Sequence, residues 1–89
     1  METIVAKHLE KVNKFHKKYG KAIVLILNED RYFAYNEDAD VISKSVGIAL
    51  LTSMDNDYQF VVFGETMLDV YLPRLVREGH RVVILENIK

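Results

Sequence analysis

Val70-Tyr-Leu-Pro-Arg-Leu-Val-Arg-Glu-Gly-His-Arg-Val-Val-Ile-Leu-Glu-Asn87 reads as an amphipathic helix, a glycine stop and an almost wholly apolar strand. Its apolar residues first recur at helical spacing, and then run without interruption from Val82 to Leu85. A helix that returns into a buried strand is a helix packed on a sheet. Pro73 lacks the amide a helix interior needs, so the helix either starts near Asp69 or kinks.

Working back from this stretch, the same alternation of periods recurs. Thr3 to Tyr19 carries a stripe at Val5, Leu9, Val12, Phe15/His16 and Tyr19, as one helical face would, with Lys17 and Lys18 near its C-terminal dipole and Gly20 as the stop. Ala22 to Leu27 is continuous and apolar, the pattern of a strand buried on both sides. Asn28-Glu29-Asp30 is a turn, and Arg31 to Tyr35 is the returning aromatic strand. Asn36 is placed to cap a second helix with Glu37 and Asp38 in its first turn, and Gly47 ends it. Ile48 to Thr52 and Tyr58 to Phe63 complete the strands, separated by a loop at Ser53 to Asp57, and Gly64-Glu65 opens the third helix. The order α-β-β-α-β-β-α-β predicts an α/β chain of the α+β type. It has a single mixed sheet of about five strands with helices packed on it. Two short β-β connections exclude an all-parallel sheet.

Residues 1–89 are expected to form one domain, since so short a chain has room for one core. Apolar residues make up 49% and charged residues 28%, which excludes a disordered chain. No cysteine is present, so disulfides, thiol nucleophiles and zinc ribbons are excluded. The N-terminus is no signal peptide, the longest apolar run is far too short for a bilayer, and a cytoplasmic location without membrane association is expected. Net charge is −1, but it is unevenly distributed. Met1 to Lys21 sets six lysines against Glu2 and Glu10, Ala22 to Val70 carries a balance of −7, and the rest returns to +2. The two basic ends either share one basic face or are separate solvated helix faces.

The last helix and strand resemble the end of the N-terminal, mismatch-recognition domain of the MutS DNA mismatch repair family. That domain closes on a Tyr-Leu-x-x-Leu-Val helix, a Gly and a Val-x-Ile-x-Glu-Gln strand. Lys21 to Ala39 is similar, without gaps, to a second family segment. There Ala22, Asp30, Tyr32, Asp38 and Ala39 match outright, and Gly47-Ile-Ala-Leu50 replaces an Asp-Ile-Ser-Leu strand. The family reads mismatches with Phe-x-Glu, the Phe stacking on the mispaired base and the Glu hydrogen-bonding it in a kinked duplex. Here Arg31 stands at the Phe position and Phe33 at the Glu position. A guanidinium stacks on bases, and phenylalanine serves as a wedge. Strand alternation sets both on one face with Tyr32 on the other.

The resemblance therefore implies a non-catalytic, stand-alone DNA-binding module. Arg31 and Phe33 would lie at a mismatch or distortion, on the outward face of their strand. Lys14, Lys17, Lys18, Arg74, Arg77 and Arg81 would hold phosphates. Near-neutral charge predicts weak affinity for duplex DNA, about 10⁻⁴–10⁻⁶ M. The alternative is a protein-interaction or self-association module, a homodimer included, that kept the fold and lost DNA reading. No cofactor is expected. There is no Gly-x-x-x-x-Gly-Lys-Ser/Thr loop, and Ser43, Ser45 and Ser53 have no neighbouring histidine in sequence. His8 and His16, two turns apart, read as separate surface histidines, and Asp55 and Asp57 as turn residues. The aromatic cluster Tyr32, Phe33 and Tyr35 is core or a stacking platform for unpaired bases.

Overall fold

The computed structural model describes residues 3–86, with side chains from residue 4 onward. Met1, Glu2 and Asn87, which figured in the readings above, lie outside them. Helix α1 spans Thr3–Tyr19, strands β1 and β2 span Ile23–Asn28 and Arg31–Tyr35, and helix α2 spans Asn36–Val46. They are followed by β3 (Leu51–Thr52), β4 (Gln59–Gly64), a single 3₁₀ turn at Glu65–Met67, α3 (Leu68–Arg77) and β5 (Val82–Glu86). The sheet is mixed and five-stranded in the order β3-β4-β2-β1-β5. Only β1 and β5 run parallel, and the other three pairings are antiparallel. The expected fold class and element order are therefore observed.

Alternation along the strands sorts the core into two halves. Ile23, Leu25, Tyr32, Ala34, Val61 and Phe63 point to one face and pack with Ala39 and Ile42 of α2 and Leu75 of α3. Val24, Ile26 and Tyr35 point to the other and meet Val5 and Val12 of α1. One helix thus covers one face and two cover the other. β1, expected to be buried on both sides, is: Val24, Leu25 and Ile26 have no exposed surface.

Several local expectations change. β3 has two residues rather than five, because Ile48 to Leu50 runs outside the ladder. Pro73 sits inside α3, which begins at Leu68, close to the alternative start, after the 3₁₀ turn has reoriented the chain. Asn36 does not cap α2. It adopts φ 52°, a left-handed conformation that asparagine tolerates, and its side-chain oxygen accepts the Gln59 amide at 3.0 Å. It joins the β2–α2 corner to β4 instead. Gly47 does end α2, at φ 78°, with its amide bonded to the Ser43 carbonyl.

Candidate nucleic-acid interface

The β1–β2 hairpin is closed by Glu29 at φ 60° and Asp30, and the Asp30 carbonyl accepts the Glu65 amide at 2.9 Å. That bond pins the tip to the end of β4. Arg31 is the first residue of β2, directly opposite Asn28 on one side and Gly64 on the other. Gly64 offers no side chain to cover it, so the Arg31 side chain is two-thirds exposed. Its Nε is 4.0 Å from Asp30 Oδ1, and both groups are solvated, so the pairing is weak. The guanidinium is available to a ligand.

Phe33 lies on the same face as Arg31, one step inward, but it is not an outward-standing side chain. It is half-buried between Ile26 and Val62. Its ring centroid is 6.1 Å from that of His8 on α1 and 6.5 Å from that of Tyr35, with which it stacks within 9°. The expectation of an outward face on β2 thus holds for Arg31. Phe33 is instead half-buried, with His8 of α1 beside its ring.

Tyr32 and Tyr35 are core residues, 6% and 3% exposed. One helix cannot cover five strands, so the aromatic row continues past α1: Tyr35 meets Tyr58 at 5.9 Å, and Tyr58 meets Phe60 at 5.7 Å, both half-buried. The result is a partly open aromatic strip along β2 and β4.

The basic residues divide between the layers. Lys14, Lys17 and Lys18 are exposed on α1, the layer that shares its face with Arg31 and Phe33. Lys14 pairs with Glu10 at 3.3 Å, and the Lys18 ammonium lies 5.3 Å from the Tyr19 ring. Arg74 and Arg77 are on α3, across the sheet, with Arg74 paired to Glu78. Arg81 borders a cleft at the start of β5. Arg74 and Arg77 share no face with the α1 lysines, because α1 and α3 pack on opposite sides of the sheet, whereas Arg81 lines one cleft with His16 and Lys21. Sequence reasoning missed Lys7 and Lys11. With Lys14 and Lys18 they recur at i, i+4, i+7 and i+11, one stripe of α1, and both are exposed. Lys11 follows His8 by three positions, so the two are neighbours along α1, with His8 turned to the sheet and Lys11 to solvent.

The opposite face is acidic at the hairpin end. Burial raises the Tyr32 phenol above its usual 10.0, and the negative charges of Glu86, Glu65 and Asp69 raise it further.

Two histidines differ from expectation. His8 is 1% exposed, with Nδ1 2.8 Å from the Tyr35 hydroxyl and Nε2 buried without a hydrogen-bond partner. Burial holds its pKa below 6.5. His16 Nε2–H is shared between the Ala22 carbonyl at 2.8 Å and Asp38 Oδ2 at 3.1 Å. Asp38, read as a first-turn helix acid, is 6% exposed and also accepts the Val24 amide at 3.1 Å. Desolvation raises its pKa, against the lowering effects of the Val24 amide and His16. These groups clasp α1, β1 and α2 together beside a cleft of about 610 Å³ lined also by Lys21, Glu37 and Arg81. The described residues contain no group of three or more acidic, histidine or cysteine side chains able to hold a metal, and no helix long and apolar enough to cross a membrane.

Fold and face together define a small α+β domain, with a pinned hairpin presenting one exposed arginine and a partly open aromatic strip along β2 and β4. The chain belongs to the MutS domain I family, whose model matches residues 7–89. It is similar to the DNA mismatch repair protein MutS of Porphyromonas gingivalis, 40% identical over 76 residues, and of Salinibacter ruber, 34% over 79. It is likewise 34% identical over 84 residues to the same protein of Cytophaga hutchinsonii. These alignments cover 82%, 85% and 91% of this chain, but only 8%, 9% and 10% of the relatives.

Proposed function

We propose that this domain is a non-catalytic DNA-binding module of the mismatch-recognition type, acting in the cytoplasm on mismatched or distorted duplexes. The observation that carries the reading is the exposed Arg31 guanidinium at the reader position of a MutS domain I chain, on the same face as the α1 lysines. Arg31 stacks on or hydrogen-bonds the disturbed base. Phe33 backs it and limits how deeply the base step can enter, in place of a fully inserted wedge. Lys7, Lys11, Lys14, Lys17 and Lys18 hold phosphates along α1. Lys17 and Lys18 sit near the start of β1 and Arg31 beside its end, so about 17 Å of strand separates reader from anchors. Arg74 and Arg77, on α3 across the sheet, are outside this footprint.

Anisotropy titrations of a labelled duplex, with and without a central mismatch, at about 50 and 200 mM salt test the proposal. Weak binding that falls with salt, and a preference for the mismatch that Arg31→Ala removes, are expected. Lys11→Ala should instead lower affinity for both duplexes and reduce the salt slope by about one. Absence of binding to either duplex at low salt rejects the reading.

A further inference from the structure

We infer that the free edge of β5 is a self-pairing surface, through which two copies of this chain join their sheets antiparallel about a two-fold axis at Val83. This does not depend on DNA reading. Among the described residues, β5 has β1 as its only neighbour. Within that ladder the Ile23 amide bonds the Arg81 carbonyl at 2.7 Å, and Ile23 is the partner of Val82. Backbone groups of Arg81, Val83 and Leu85 therefore turn toward β1, and those of Val82, Ile84 and Glu86 turn away from it. Among the described residues, no ladder, turn or cap uses these outward groups.

The middle of the strand is unguarded as an edge. Val82 to Leu85 contains no charge, proline or bulge, and all four side chains are half-buried, while their partners on β1 are sealed. Apolar surface thus remains on both faces of an unpaired edge. The charges at its ends select the occupant and its direction. β5 is entered through His80-Arg81 and left through Glu86, so an antiparallel copy sets a basic start against an acidic end twice over. A parallel copy would set like against like.

Parity of the outward groups allows an axis at Val82, Val83, Ile84 or Leu85, and of these the axis at Val83 is the one that sets the acidic end against the basic start. Val82 lies opposite Ile84 of the second copy and exchanges both backbone bonds with it. Val83 faces its own equivalent at a non-hydrogen-bonded position, and Glu86 reaches the level of His80 in the second copy. The His80 amide is already bonded to the Leu75 carbonyl at 3.1 Å, so the ladder stops there. The product is a continuous ten-stranded sheet. Its short seam makes the association weak and concentration-dependent.

The chain has no cysteine, so Val83→Cys introduces a single thiol at the axis. A non-hydrogen-bonded pair brings Cα atoms to about 4.5 Å, within disulfide range. Under mild oxidation at about 100 μM, Val83→Cys should form disulfide dimer at least tenfold faster than Thr52→Cys, an exposed position on the far edge. Sedimentation velocity of the unmodified protein should pass from monomer toward dimer between about 10 and 500 μM. Val82→Pro, which removes one outward amide and spares the β1 ladder, should shift that transition at least tenfold upward. Glu86→Lys should do the same if Val82→Pro does not fold. A monomer throughout, Val83→Cys no faster than the control, or faster crosslinking of Ile84→Cys, overturns the proposal.

Discussion

His8 offers a prediction whose sign and size follow from its surroundings. Protonating a ring that is 1% exposed, with Nε2 facing no acceptor, places an unpaired charge under α1, so the folded state resists the proton. In the unfolded chain the ring titrates near 6.5. A folded pKa below the unfolded one means that the unfolded state binds more protons as pH falls, so stability drops below about pH 6.5 and continues to drop until the folded pKa is reached. If the folded ring stays neutral throughout, the loss between pH 7.5 and 5.5 is at most about 1.4 kcal/mol, which sets the ceiling for one histidine. With a urea m-value of about 1 kcal/mol/M, that is a midpoint shift of up to about 1.4 M. His8→Leu keeps an apolar group in the site and removes the titration. Urea denaturation of both proteins at the two pH values should show a smaller acid shift in the variant, the difference being the His8 share. His16 and Asp38 are present in both proteins and cancel. Identical acid shifts would refute the reasoning, since His8 would then charge without penalty and could not be sealed between α1 and the sheet.

Asp38→Ala should cost about 1–3 kcal/mol, because it strips the buried Val24 amide of its acceptor; Asp38→Asn, which keeps an acceptor, should cost less, and thermal melts rank the two. Leu75→Ala, at a side chain with no exposed surface between α3 and the sheet, should cost about 2–5 kcal/mol in chemical denaturation. Gly47→Ala forces a side chain into φ 78° with no neighbour to clash against, so the loss should be about 1 kcal/mol, all of it backbone strain, again read from melts.

Periodicity carried the architecture. Val82 to Leu85 and Ala22 to Leu27 are legible as strands because both are short apolar runs rich in β-branched residues, although only the second proves to be a central strand, and glycines at 20, 47 and 79 all fall where helices end, each with positive φ. What stayed hidden were contacts between residues distant in sequence. His8 lies on the buried stripe, three after Val5 and four before Val12, but its partner Tyr35 is 27 positions away. Asp38 was concealed by a sufficient local explanation, since an acid in a first helical turn needs no other reason to be there. The division of the basic residues between two layers depends on which side of the sheet each helix crosses, and charge counting cannot supply that. The lysine stripe of α1, by contrast, was present in the spacing of positions 7, 11, 14 and 18. Arg31 was found only through the family resemblance. An arginine beginning a strand has no chemical signature of its own.

The central claim concerns a face, and amide chemical-shift mapping of the ¹⁵N-labelled domain with a mismatched duplex tests it most directly. The account predicts that perturbations gather at Arg31, Phe33 and the α1 positions Lys7, Lys11 and Lys14, with Arg74 and Arg77 unmoved. Perturbations centred on Arg74 and Arg77, with Arg31 unaffected, would contradict it.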